Sequence, residues 1–123
     1  MTDVTSGGYK SSVSKNLKEV RERIAEAALR AGRDPTAITL VAVSKMFPIE
    51  AILAGWEAGQ REFGENRPEE GAERIPKVRS ILEETPLTWH MIGHIQRRKA
   101  RMVVEYFDIV HSIDRNVLAE KLS

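Results

Sequence analysis

Lys45 ends the apolar run Ile38-Thr39-Leu40-Val41-Ala42-Val43-Ser44 and precedes a segment opened by Pro48. Such a run reads as a buried strand. A strand that delivers a primary amine to the top of a sheet suits covalent chemistry with an aldehyde. The amine must be unprotonated to attack, and desolvation favours that form by penalising the ammonium. Side chains alternate along a strand, so Lys45 shares a face with Val43, Val41 and Thr39. Leu40, Ala42 and Ser44 face the other way, toward helices. The competing reading of Lys45 is a solvated cation at a strand end.

Other residues offer weaker chemistry. His90 and His94 are four apart, the spacing of two metal ligands on one helix. Here His90 falls in a strand-like stretch that Gly93 breaks, and no glutamate follows His90, so the pattern does not fit a metal site. Arg97, Arg98, Lys99 and Arg101 form a basic cluster. Without interleaved aromatics it reads as a solvated helix face rather than a nucleic-acid contact, although one of these cations could steer an anion. There is no Ser-His-Asp set and no glycine-rich loop of nucleotide-binding type.

The elements that must position these residues alternate. Residues 1–11 read as a flexible arm. Val13, Leu17, Val20, Ile24, Ala27 and Ala31 then step at three and four residues, which predicts a helix from about Ser12 to Ala31. Its charged face, including Arg21, is expected in solvent. Asp34-Pro35 marks a turn. Strands are expected over about 39–44, 62–65, 88–92 and 108–113. Helices are expected over 48–58, 68–84 (broken near Ile75 by Pro76), 95–106, and from Arg115 onward behind an Asp114 cap. This alternation predicts an α/β fold of βα units around a parallel sheet with right-handed crossovers.

Composition narrows the class. The chain has 123 residues, 41% apolar and 30% charged, with a net charge of +1 and no cysteine. That length suits one domain and an ordinary core. The charge balance gives no drive toward nucleic acid or acidic membranes. Absence of cysteine removes thiolate nucleophiles and disulfides. No run approaches the roughly 20 apolar residues of a membrane span, and residues 2–8 lack a signal-peptide core, so a cytoplasmic location is expected.

Four stretches at expected strand ends carry a resemblance. They are Val41-Ala42-Val43-Ser44-Lys45, Phe63-Gly64-Glu65-Asn66-Arg67, Trp89-His90-Met91-Ile92-Gly93-His94-Ile95-Gln96 with Lys99, and His111-Ser112-Ile113-Asp114-Arg115. Together and in this order, the chain from Val13 to Ser123 resembles the pyridoxal phosphate homeostasis protein family. The resemblance implies an alanine-racemase-type TIM barrel. A closed eightfold barrel needs about 200 residues or more, so residues 12–123 are expected to be its N-terminal half, four strands with an N-terminal helix. It also implies that the family's phosphate-binding segment and the arginine facing the pyridine nitrogen lie in a second half.

For the residues, the resemblance implies pyridoxal 5'-phosphate held as a Schiff base on Lys45. Asn66 is then expected near the cofactor's phenolic oxygen, where an amide donates without adding charge. Gly64, pointing the same way, leaves room for the ring. Asn66 also reads as an ordinary turn residue. His90 is expected either to line the cofactor cavity or to be a satisfied core histidine. One of His111 and Ser112 faces inward, and Ser112 is the cofactor-side candidate. The function implied is cofactor storage and delivery without catalysis, with pyridoxal-phosphate-dependent apoenzymes as partners. A racemase-like enzyme is the first alternative. It needs a second acid/base opposite the lysine, and neither Tyr9 nor Tyr106 stands at a strand end. The second alternative is a truncated piece that binds nothing and self-associates through open sheet edges.

Overall fold

The computed structural model describes residues 6–44, 47–83 and 87–111, with side chains from residue 11 onward. In order come α1 (Ser6–Arg30), β1 (Ala42–Val43), α2 (Ile49–Glu57), β2 (Glu62–Glu65), α3 (Pro68–Ile81), β3 (Thr88–Met91), α4 (Ala100–Tyr106) and β4 (Ile109–Val110). Short 3-10 turns occupy Pro35–Ala37 and Arg97–Lys99. The expected last helix near Arg115 and its Asp114 cap lie outside the described residues. No described helix is long and apolar enough to cross a membrane.

The chain divides into two compact units. The first joins residues 1–40 and 47–60, where α1 packs on α2. The helix α1 begins at Ser6, so residues 6–11, expected in the arm, have helical backbone. The apolar period starts only at Val13, which is why periodicity placed the start late. Its buried side also differs from the expected stripe. Ala28 is buried, whereas Val20 is 40% exposed. Arg21 is half-buried rather than solvated. Its guanidinium donates to the Ala58 carbonyl at 2.9 Å and to Gln60 Oε1 at 2.7 Å.

That contact caps α2. Gly59 follows the helix at φ 94°, a left-handed value that favours glycine. The cation meets the negative end of the helix dipole and a carbonyl left without an intrahelical donor. Gln60 passes the connection on, donating from Nε2 to the Leu40 carbonyl at 2.6 Å. Arg21→Ala is expected to cost about 1–2 kcal/mol, measured as a shift in urea-unfolding midpoint at constant slope. A cost near zero would return Arg21 to the solvated face.

The second unit holds residues 41–46 and 61–123. Its sheet is all parallel in the order β1-β2-β3-β4. Sequential neighbours joined by crossovers are the winding of a (β/α) barrel; a doubly wound sheet reverses its order. Register sets the two faces. Val43, Gly64, His90 and Ile109 are partners in one row, and Ala42, Phe63 and Trp89 in the next. Alternation therefore puts Glu62, Gly64 and His90 on one face, and Phe63, Glu65, Trp89 and Met91 on the other.

The second of these faces is the core side. Phe63, Trp89 and Met91 are buried with Ile75 and Val78 of α3 and Val103 of α4. The Phe63 and Trp89 rings stand 5.7 Å apart. Each such side chain contributes roughly 1.5–3 kcal/mol on leaving water. On the opposite face Val43 remains 45% exposed and Ile109 41%.

The helix α3 does not break at Pro76 but runs unbroken over Pro68–Ile81. Pro76 is on the exposed side, where water can take up the carbonyl that proline leaves without a donor. Burial of Ile75 and Val78 holds the helix to the sheet on the other side. Pro68 is at the first turn, where its missing N–H costs nothing.

Candidate functional site

Three polar groupings surround the C-terminal part of the sheet. The first crosses the exposed face. His90 on β3 is 3% exposed, yet both its ring nitrogens are engaged. Nε2 lies 2.7 Å from Glu62 Oε1, and Nδ1 lies 2.8 Å from His111 Nε2. The two imidazole rings are 5.0 Å apart with planes inclined by 24°. Of the two expectations for His90, these bonds support the satisfied buried histidine, because neither nitrogen is left for a ligand. His111, just past β4, is exposed.

The second grouping is buried on the core face. Ser44 ends the β1 ladder through its amide to the Gly64 carbonyl at 3.0 Å. Its hydroxyl donates to Glu65 Oε2 at 3.0 Å. Arg74 of α3 donates to the Ser44 carbonyl at 2.5 Å and approaches Glu65 Oε2 at 3.5 Å. Glu70 steadies the same guanidinium at 3.4 Å. Glu65 is fully buried, and among the described residues its Oε1 has no hydrogen-bond partner. Burial pushes its carboxyl above the ordinary value, against the Ser44 hydroxyl and Arg74, which pull it down. The chain thus leaves β1 from a residue clamped through both side chain and carbonyl. The expectation that Ser44 faces the helices is met.

The third grouping is a depression of about 490 Å³ beyond the ends of β2 and β3, lined by Asn66, Arg67, Glu69, Glu70, His94, Gln96, Arg98 and Lys99. Lys99 and Glu69 pair at 3.0 Å. The Glu69 carboxyl is held below its usual range by its own backbone N–H and then by Lys99. The basic cluster is therefore only partly solvated.

Asn66 is half-buried, and its backbone is pressed against Gly93. A Cβ on Gly93 would fall inside the contact distance of the Asn66 carbonyl. Backbone cannot yield as a side chain can, so Gly93→Ala is expected to cost about 1–3 kcal/mol and to displace Asn66. Thermal unfolding and the Asn66 amide NMR shift read both effects. An unchanged shift would show that the contact does not fix Asn66.

Gly64 differs from expectation. A Cβ there would stand 3.0 Å from Val41 Cγ1 and 3.2 Å from Ile92 Cδ1. Two neighbouring side chains fill the space that was expected for a ring, so the glycine serves their close approach. Lys45 and Ser112 lie outside the described residues. Among the described residues no group of three histidines or carboxylates is placed to hold a metal. Glu62, Glu65 and Arg74 are the residues sequence reasoning missed. Their partners are 28, 21 and 30 positions away, so no local pattern marks them.

No protein-family model matches the chain. It is 46% identical over 113 residues to the "Pyridoxal phosphate homeostasis protein" of Escherichia coli, covering 92% of this chain and 48% of that protein. It is 43% identical over 113 residues to the protein of the same name from Pseudomonas aeruginosa, covering 92% and 47%. The chain therefore spans about half the length of the curated relatives it matches. Among solved structures, an unknown protein from Bifidobacterium adolescentis aligns with a TM-score of 0.87 at 29% identity, over 99% of this chain and 51% of that one. PipY of Synechococcus elongatus solved with PLP bound aligns with a TM-score of 0.58 at 44% identity, over 80% and 46%.

Proposed function

We propose, from the kinship of this chain with the pyridoxal phosphate homeostasis proteins, that it supplies part of a site that holds pyridoxal 5'-phosphate for storage and delivery. The observation that carries the reading is a solved relative, 44% identical, with the cofactor bound. The donor set around Asn66 supports it. A carboxamide and the cations Arg67, Arg98 and Lys99 face one depression with Glu69 and Glu70, and the cations are the groups there that an anionic ester would meet.

When bound, the cofactor supplies an aldehyde that reacts reversibly with primary amines. Lys45 is the amine offered, directly after the clamped Ser44. Arg74 and Glu65 hold Ser44, the last described residue before it. Asn66 donates from an uncharged amide beside the cations. Storage needs only reversible capture and exchange with another amine, such as one on a pyridoxal-phosphate-dependent apoenzyme. A racemase needs, in addition, a second acid/base opposite the lysine.

The test is visible absorbance of the protein with pyridoxal phosphate, followed by addition of a free amine. The expected result is a new band that the amine removes. An unchanged cofactor spectrum would sink the reading. Incubation with one enantiomer of alanine separates carrier from enzyme, since sustained racemisation would exclude the carrier.

A second reading rests on the sheet edges. Among the described residues β1 and β4 each pair on one side only. Unpaired edges invite pairing with another chain. Light scattering is expected to show mass rising with concentration, and a monodisperse monomer throughout would contradict it.

A further inference from the structure

We propose that Glu62, His90 and His111 form a proton relay serving amine exchange on the exposed face of the sheet, with His111 as its outer terminal. The reaction served rests on the pyridoxal phosphate reading above, whereas the proton chemistry rests on geometry alone. The line crosses three strands. It starts at Glu62, the first residue of β2, passes His90 in β3 and ends at His111 just beyond β4. It therefore climbs toward the C-terminal end of the sheet, the end of β1 after which Lys45 follows.

The proton inventory is tightly constrained. Two ring nitrogens 2.8 Å apart need one proton between them, because two lone pairs repel and two N–H groups clash. One proton likewise joins His90 Nε2 to Glu62 Oε1 at 2.7 Å. With Glu62 ionised, three arrangements meet both demands. In the first, His90 and His111 are both neutral, each protonated on Nε2, and His111 Nδ1 is bare. In the second, one proton has been added. His90 carries protons on both nitrogens, and His111 carries its only proton on Nδ1. The third, with His111 doubly protonated and His90 Nδ1 bare, leaves an added charge away from the carboxylate, and the relay runs between the other two.

Passage between the two is balanced and moves no heavy atom. A proton binds His111 Nδ1, and the proton on His111 Nε2 shifts to His90 Nδ1. The positive charge then sits on the buried ring, against the Glu62 carboxylate. The reverse shift releases a proton from His111 Nδ1. The exposed ring thus gives or takes a proton while the charge is stored behind it. Exchange of one amine for another adds and removes protons at nitrogen, and this is a group able to handle them. Among the described residues, Glu62 and His111 are the titratable side chains bonded to His90. The carboxylate, set two bonds behind the exposed ring, is what distinguishes this line from a lone surface histidine.

The test is ring-nitrogen NMR of the histidines across a pH titration, on the wild type and on Glu62→Gln. As the pair takes up a proton, wild-type His90 is expected to become doubly protonated while His111 switches its proton from Nε2 to Nδ1. In Glu62→Gln the charge is expected to stay on His111. Double protonation of wild-type His111 with His90 Nδ1 bare would overturn the relay. A second arm measures the rate at which added pyridoxal phosphate develops visible absorbance. His111→Asn is expected to slow it at least about tenfold at a temperature where thermal unfolding shows both proteins fully folded. Equal rates in the two proteins would overturn the relay's use and leave the cofactor reading standing. No absorbance in the wild type would remove the cofactor reading and that use together, while the NMR result still decides the proton chemistry.

Discussion

Lys45→Ala should abolish the visible band formed with pyridoxal phosphate and weaken retention of the cofactor by at least about a hundredfold, about 2.7 kcal/mol. The size follows from what the substitution removes. An alanine leaves Asn66, Arg67, Arg98 and Lys99 in place, so attraction of the anion survives. What is lost is the amine, and with it the reversible covalent contribution that outlasts dilution. Lys45→Arg sharpens the test, because a guanidinium keeps the charge but stays protonated. Equilibrium dialysis with a parallel spectrum reads both. A band of equal height in wild type and Lys45→Ala would remove the residue from its role.

Arg74→Met should cost about 3–5 kcal/mol of unfolding free energy at neutral pH. Glu65 is fully buried and Arg74 is the cation beside it, so methionine strands a carboxylate in a dry setting. The Ser44 carbonyl loses its donor as well. The loss should shrink as pH falls, because protonation neutralises Glu65. The wild type carries a milder form of the same dependence. The Glu65 carboxyl is raised above its ordinary value of 4.5 by burial. Its contribution to stability is therefore fully present below that value and lost as pH rises through the folded one. Relative to Glu65→Gln, the wild type should be most favoured in acid and lose ground toward neutrality. Denaturant unfolding at several pH values measures this, and a difference that grows in the opposite direction would show that Arg74 outweighs burial.

Local patterns made the order of elements readable. Turn residues and apolar runs marked the described strands and helices in order, although the helix expected over 95–106 begins only at Ala100, and β2 falls on residues 62–65 as expected despite its weak propensity. The regular part of β1 is shorter than its apolar run, because ladder pairing with β2 begins only at Ala42. Local signals failed where a partner decides the outcome. Arg21 belongs to a charged face by sequence and is half-buried because the end of α2 offers it a carbonyl. Pro76 is tolerated because it faces outward while Ile75 and Val78 are buried.

The site was legible to a different degree. The expectation for Lys45, drawn from the family resemblance, lies outside the described residues, and Asn66 follows β2 and lines the depression there. The spacing of His90 and His94 could suggest a metal, but only the fold shows that the partners of His90 are Glu62 and His111. Parallel pairing joins residues a crossover apart, so carboxylate, imidazole and guanidinium meet at separations that no motif length encodes. The Ser44–Glu65–Arg74 clamp was hidden for the same reason. Ser44 was read by alternation as facing helices, and nothing nearby in sequence announces that a buried carboxylate waits there.

The central claim is that one particular amine captures the cofactor. The protein mixed with pyridoxal phosphate, treated with borohydride and digested, would be read by mass spectrometry for the position of the fixed adduct. The account predicts a single modified residue, Lys45. An adduct spread over other lysines such as Lys77 and Lys99, or concentrated on one of them, would contradict it.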